Sequence, residues 1–258
     1  MNKLDLSITI ICKNEAQNLP RLLRSLDFAS EIILVDDHST DESVDIATSF
    51  GAKVFQRTFD GFGQQKNFAA SKASHEWILS LDCDEEVTQE LKESISKVLK
   101  NADHHLYSVD RKTFFLGQFI RFGGWYPDQV ARFYRKSMAK FSEPKVHEVL
   151  TSHESQSPRV LDGSLNHYSF ATISSQVERN MKYAKLGAKQ YIEDHGRPSL
   201  IAVFFRPFWK FIECLFLKAG ILDGVAGIII ALNASYSMFM KYTFAYFDFS
   251  KDLKRIGE

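Results

Sequence analysis

Trp77-Ile78-Leu79-Ser80-Leu81-Asp82-Cys83-Asp84 is a short apolar run that ends in two carboxylates. A run of that length, apolar through both phases of its alternation, suits a strand buried on both faces of a sheet. Three similar runs lie upstream. Ser7-Ile8-Thr9-Ile10-Ile11-Cys12 is β-branched and leads into Lys13-Asn14-Glu15, Glu31-Ile32-Ile33-Leu34-Val35 leads into Asp36-Asp37, and Ala52–Gln56 is a shorter third. Between them the spacing turns helical: Leu19, Leu22, Leu23 and Leu26; then Val44, Ala47 and Thr48 behind a capping Asp41; then Lys66–Lys72; and last Gln89–Leu99 behind a capping Thr88. Alternating strands and helices predict an α/β domain with a parallel sheet covered on both sides. Such sheets bind ligands beyond the carboxyl ends of their strands. The polar clusters at those ends are therefore predicted to converge on one rim.

Asp82 and Asp84 point the same way if the chain stays extended. Two hard oxygen ligands so placed suit Mg²⁺ or Mn²⁺ carrying a diphosphate; a solvated acidic turn is the alternative. Asp36 and Asp37 suit ribose hydroxyls or a base N–H, with helix capping by Asp37 or Ser39 as the alternative. Other phosphate-binding designs are excluded by inspection. No glycine-rich turn follows the first strand, no Gly-Lys-Ser/Thr is present, and Gly61-Phe62-Gly63 completes neither pattern.

The chain of 258 residues is long enough for one large domain, or one with an appendage. Its 32 basic and 32 acidic residues cancel, which argues against nucleic acid as a partner. Three cysteines make no disulfide framework and fit a reducing compartment. The N-terminal residues lack the pattern of a secretory signal, so a cytoplasmic location is expected. Of 22 Phe, 16 fall after residue 100, so the second part has more aromatic surface to bury.

Four motifs, in order and at the right spacing, resemble glycosyltransferase family 2. They are Ile10-Ile11-Cys12-Lys13-Asn14-Glu15, Leu34-Val35-Asp36-Asp37-His38-Ser39-Thr40-Asp41, Gln65-Lys66-Asn67 and Leu81-Asp82-Cys83-Asp84-Glu85-Glu86. The resemblance implies a GT-A fold (the Rossmann-like fold of nucleotide-diphospho-sugar transferases), a nucleotide-sugar donor, a divalent metal and inversion at the anomeric carbon. Gly124-Trp125-Tyr126-Pro127-Asp128, Arg132-Phe133-Tyr134-Arg135, Val146-His147-Glu148 and Leu222-Asp223-Gly224 resemble the lipopolysaccharide-core β-1,4-glucosyltransferase subgroup, which implies UDP-glucose and inner-core heptose. The donor-binding set implied is Cys12, Asn14, Glu15, Asp36, Asp37, Lys66, Asn67, Asp82, Cys83, Arg132 and Arg135. The metal set is Asp82, Asp84 and His147. Arg132 and Arg135 are placed to offset charge on the departing diphosphate. Inverting transfer needs a general base, and Asp128 is the first candidate and Glu148 the second.

Residues 1–170 are expected to form the catalytic domain, with a nucleotide-binding half to 100 and an acceptor half from 101. Residues 171–258 are expected to form a helical extension. Residues 224–240 carry no charge over 17 residues, short of the ~20 that a spanning helix needs. Basic and aromatic residues around them, Arg206, Trp209, Lys210, Tyr236, Lys241 and Tyr242, fit a helix lying on the inner-leaflet surface. The expected activity is transfer of a hexose from a UDP-sugar to a lipid-linked saccharide by a peripheral membrane enzyme, with an oligomer possible. Transfer to a polyprenyl phosphate, and a silent GT-A scaffold, are the alternatives.

Overall fold

The four apolar runs form strands close to their expected bounds. In the computed structural model, which describes residues 3–142, 148–152, 154, 157–170 and 172–247, β1 is Leu4–Cys12, β2 Ala29–Asp36, β3 Lys53–Gln56 and β4 Trp77–Asp82. Between them lie α1 (Leu19–Arg24), α2 (Ser43–Ser49) and α3 (Phe62–Ser71). The strands pair in parallel in the order β3-β2-β1-β4. Both faces are covered. Leu34, Leu79 and Leu81 pack in one core with Leu19 and Leu22 of α1, while Ile33 and Ile78 pack in another with Ala70 of α3. Each fully buried Leu or Ile contributes roughly 1.5–3 kcal/mol, and that apolar burial holds strands whose ends are charged.

Beyond β4 the chain turns at Cys83–Asp84 into β5 (Glu85–Val87) and then α4 (Gln89–Lys100), where Thr88 caps the helix by accepting the Leu91 N–H at 3.4 Å. Among the described residues, 101–170 hold six strands: β6 (Leu106–Phe115), β7 (Gln118–Phe119), β8 (Gln129–Arg135), β9 (Ala139–Phe141), β10 (Leu150–Ser152) and β11 (Arg159–His167). Asp110-Arg111-Lys112 in the middle of β6 breaks its apolar alternation, so the sequence hides it. The sheet also does not stay parallel. β8 joins β4 antiparallel, β6 joins β8 antiparallel, and β11 and β5 complete the order.

The chain divides into two units, Met1–Lys112 with Asp128–Tyr168, and Thr113–Pro127 with Ser169–Glu258. Residues 113–127 thus group with the C-terminal helices, not with the acceptor half of a domain ending at 170. Within that second unit the buried Asp223 carboxylate accepts the Phe122 N–H at 2.8 Å, and its carbonyl accepts from Gln118 at 2.7 Å. The helices are α5 (Ile173–His195), α6 (Leu200–Ile212) and α7 (Gly224–Phe247), and α7 packs along both of the others. Gly227 allows the close approach of α7 to the preceding turn, since a Cβ there would lie 1.7 Å from the Gly220 carbonyl oxygen.

Candidate active site

Strand register brings the polar ends together on the first unit. Cys12 pairs with Asp36, and Ile11 pairs with Asp82, so β1, β2 and β4 end level with one another. The rim expected from the sequence exists.

Its charged groups form one chain of ion pairs. Glu148 accepts from Lys66 at 2.9 Å, and Lys66 lies 3.2 Å from Asp82 Oδ1. Asp82 Oδ2 is held by Arg132, which also lies 3.1 Å from Glu85. Arg111 lies 3.8 Å from Glu85 and binds Asp128 Oδ2 through Nη2 at 2.7 Å and Nε at 2.9 Å. The two carboxylates considered as general base, Glu148 and Asp128, are therefore the two ends of a single alternating series. Lys66, Arg132 and Glu85 are buried. Burial pushes the Asp82 carboxyl up, but Arg132 and then Lys66 outweigh it and hold Asp82 well below the usual carboxylate range. Burial raises Glu85 against the opposing pull of Arg132. Burial lowers the Arg132 guanidinium, but Asp82 and Glu85 outweigh it and fix the charge.

Several expected roles change. Arg132 is committed to Asp82 and Glu85 and is not directed at a departing diphosphate. Lys66 is enclosed between two carboxylates and does not line an open nucleoside pocket. Arg135 lies opposite Trp77, at the far end of β4 from Asp82, with its guanidinium 5.0 Å from the Trp77 ring centre. At about 3.3 Å per strand residue that puts it roughly 16 Å along the sheet from the rim. Asn67 uses its amide on β9, accepting the Phe141 N–H and donating to the Phe141 carbonyl, both at 2.9 Å. Cys12 and Cys83 are buried in the core beneath the rim, and the Cys83 thiol donates to the Ile11 carbonyl at 3.2 Å.

The other nucleoside-side residues stay on the rim. Asn14 takes a left-handed backbone at φ 55° and accepts the Thr40 N–H at 2.8 Å through Oδ1. Asp36 accepts the Ser39 N–H at 2.9 Å. Asp37 is paired with Lys13 at 2.6 Å and accepts the Phe59 N–H at 3.0 Å. Burial raises the Glu15 carboxyl against a hydrogen bond from Asn18, and Asp84 adds to the rise.

Asp84 differs from Asp82. The turn after β4 separates the two side chains, so they do not act as an extended pair. Asp84 is partly exposed and no Lys or Arg pairs with it among the described residues; its neighbour is His167 Nε2 at 3.3 Å. Among the described residues there is no group of three or more His, Cys, Asp or Glu side chains able to hold a metal. Mg²⁺ needs no such cage, because it is commonly held by one or two carboxylates with substrate phosphates filling the rest. Asp84 fits that requirement, and Asp82, with both oxygens already taken by cations, does not. His147 lies outside the described residues.

Sequence reasoning missed Glu85, Arg111 and His167. Glu85 belongs to the acidic motif, and its fully buried carboxylate accepts the Asp82 N–H at 2.9 Å. Arg111 and His167 sit on strands from elsewhere in the chain and carry no local signal.

The family model described as Glycosyl transferase family 2 matches residues 7–153. The lipopolysaccharide core biosynthesis glycosyltransferase LpsC of Rhizobium meliloti is 28% identical over 92% of this chain and 90% of its own length. An uncharacterized glycosyltransferase of Rickettsia bellii is 28% identical over 92% of this chain and 84% of its own. Among solved structures, S. aureus TarS 1-349 in complex with UDP-GlcNAc aligns over 96% of this chain and 92% of its own at 16% identity, with a TM-score of 0.48.

Proposed function

This chain belongs to glycosyltransferase family 2 and has its GT-A fold with a C-terminal helical extension; from that premise we propose that it transfers glucose from UDP-glucose to a lipid-linked saccharide, with inversion. The observation that carries the reading is the rim itself. A partly exposed Asp84 stands beside a series of ion pairs that leaves both candidate bases at its ends. Asp84 holds a divalent metal, with His167 beside it. The metal, when bound, neutralises the diphosphate and makes UDP a better leaving group. Asn14, Glu15, Asp36 and Asp37 take the nucleoside side.

Asp128 is the base. Arg111 occupies its Oδ2 and leaves Oδ1 free to accept the proton of the attacking hydroxyl, while fixing the carboxylate's orientation. Glu148 is the second choice, with Lys66 holding Oε1 in the same way. Asp82 acts through its neighbours, keeping Lys66 and Arg132 in place.

The second unit supports attachment to a membrane surface. Ile201, Phe204, Phe205, Phe208 and Trp209 on α6 are all more than half exposed, a contiguous helical stripe far larger than scattered surface residues explain. Gly220–Phe247 contains an 18-residue window with a mean hydropathy of 1.5 and is long enough to span. Yet α7 packs along α5, which carries Glu178, Arg179, Lys182, Lys185 and Lys189. Spanning would take those charges into the bilayer, at roughly 2.5–3.5 kcal/mol each for Lys or Arg near its centre. A helix pair lying in the interface avoids that.

The test is release of the nucleoside diphosphate (UDP, GDP or dTDP) from the matching UDP-, GDP- and dTDP-sugars by the purified chain, with and without Mn²⁺. Metal-dependent turnover of UDP-glucose, raised by a lipid-linked heptose acceptor, is expected. Turnover that ignores Mn²⁺, or that prefers a GDP-sugar, overturns the assignment.

A further inference from the structure

We infer that a cleft in the helical unit binds a phosphorylated sugar unit of the acceptor, through Lys241 for the phosphate and Trp125 for the ring. The inference rests on the reading of this chain as a transferase acting on a lipid-linked saccharide, and it specifies that acceptor as anionic.

The cleft has a volume of about 270 Å³ and lies between α5 and α7, near the lower end of the range for small-ligand pockets and sized for a single small group. Gln176, Asn180 and Tyr183 line it from α5, spaced so that they share one helix face. Lys241 lines it from α7, Lys210 from α6, and Trp125 from the turn that belongs to the same unit. The floor is built: Gln176 is 2% exposed and accepts from Asn233 at 2.8 Å. Trp125 is held by Phe115 and Phe170, each with ring centres 5.5 Å away.

Its chemistry is one-sided. No Asp or Glu lines it. Lys210 is paired with Glu213 at 3.1 Å, but the Lys241 ammonium has no carboxylate partner among the described residues. It rests instead 5.7 Å and 5.9 Å from the Tyr191 and Tyr242 ring centres. The Trp125 indole N–H, the Asn180 amide and the Tyr183 hydroxyl likewise have no protein partner among the described residues. Three neutral hydrogen-bonding groups, an aromatic plane and a lone ammonium around one cleft match a polyhydroxylated ring that bears an anion. A bare anion would leave the aromatic and amide groups without a role.

Isothermal titration of the full chain with glucose 6-phosphate, glucose and inorganic phosphate tests this, with phosphatidylglycerol vesicles as the lipid-headgroup arm. Glucose 6-phosphate is expected to bind at least 10-fold tighter than either glucose or phosphate. Lys241→Gln and Asn180→Ala are expected to weaken it about 10-fold while melting as wild type does. Equal binding of inorganic phosphate, or glucose 6-phosphate binding untouched by both variants, overturns the proposal. So does Lys241→Gln weakening vesicle binding while glucose 6-phosphate fails to bind, which would assign the cleft to a lipid headgroup. UDP is titrated separately. If UDP fails to bind while glucose 6-phosphate binds, the transferase reading falls and the cleft stands; the reverse result removes the cleft alone.

Discussion

Replacing Asp82 and Asp84 one at a time with Asn separates their two jobs. Asp82→Asn removes the anion between Lys66 and Arg132, whose side chains are 4% and 6% exposed. Breaking a buried ion pair from one side costs about 3–5 kcal/mol, because the remaining charge stays unpaired. Asp82 is itself 31% exposed, and Glu85 and Glu148 still face the two cations, so the lower end, about 3 kcal/mol, applies. At roughly 2–4 °C per kcal/mol for a chain of this size, Asp82→Asn should melt about 6–12 °C early. Asp84→Asn breaks no pair with Lys or Arg and should melt within about 2 °C of wild type. The second readout reverses the order. UDP with Mn²⁺ at 100 times its Kd stabilises the folded chain by about 2.7 kcal/mol. That rise should survive, reduced, in Asp82→Asn and vanish in Asp84→Asn. Differential scanning fluorimetry with and without UDP and Mn²⁺ measures both effects. If Asp82→Asn melts normally and loses the metal-dependent rise while Asp84→Asn keeps it, the division of labour argued here is wrong.

Two further outcomes follow from other parts of the chain. Glu31 is 6% exposed and is held by Lys53 and by Ser74, each at 2.7 Å, with Ser7 as a third partner. Burial pushes its carboxyl up, but these partners outweigh it and lower it from 4.5 to about 2. A depressed carboxyl adds stability that is complete above its unfolded value and is lost as pH falls through the folded one, at most about 3 kcal/mol here. Urea titrations should show Glu31→Gln destabilised at pH 7, with the gap to wild type closing between pH 4.5 and about pH 2; a gap independent of pH contradicts the account. On α6, Phe205→Glu with Phe208→Glu should lower binding to phosphatidylglycerol vesicles at least about 10-fold, since burying each ring is worth roughly 1.5–3 kcal/mol. Sedimentation with vesicles reads it, and unchanged binding removes the interfacial assignment.

What the sequence made visible and what it hid divide along a physical line. Ile8, Ile10, Ile33, Leu34, Ile78 and Leu79 mark their strands because a strand buried on both faces must be apolar in both phases. Once the strands alternate with helices, parallel order follows, and with it the shared rim. Thr88 was readable for a similar reason, since a helix start needs a local acceptor. The partners on the rim were not readable. Arg132 meets Asp82 only because β8 inserts antiparallel beside β4. That pairing joins residues 50 positions apart and leaves no trace in local periodicity. Arg135 shows the same limit from the other side: three positions along β8 from Arg132, it has the right chemistry at the wrong end of the strand. His167 is an isolated histidine in sequence and becomes a neighbour of Asp84 only when β11 pairs with β5.

The charge on the rim gives an independent reason for a divalent cation. Lys66, Arg132 and Arg111 stand against Glu148, Asp82, Glu85 and Asp128. With every carboxylate ionised, that series carries one negative charge, and Asp84 makes it two. A sugar diphosphate is also an anion and is repelled by such a rim. At about 332/(ε·r) kcal/mol per pair of unit charges, two like charges 4 Å apart at an effective dielectric near 20 cost about 4 kcal/mol. No described cation of the series is spare to meet the donor, since each already serves two carboxylates. Among the described residues of this series no positive charge is left over for the donor, which supports the divalent cation proposed above. Asp84, partly exposed and with no Lys or Arg of its own, is the group placed to receive it.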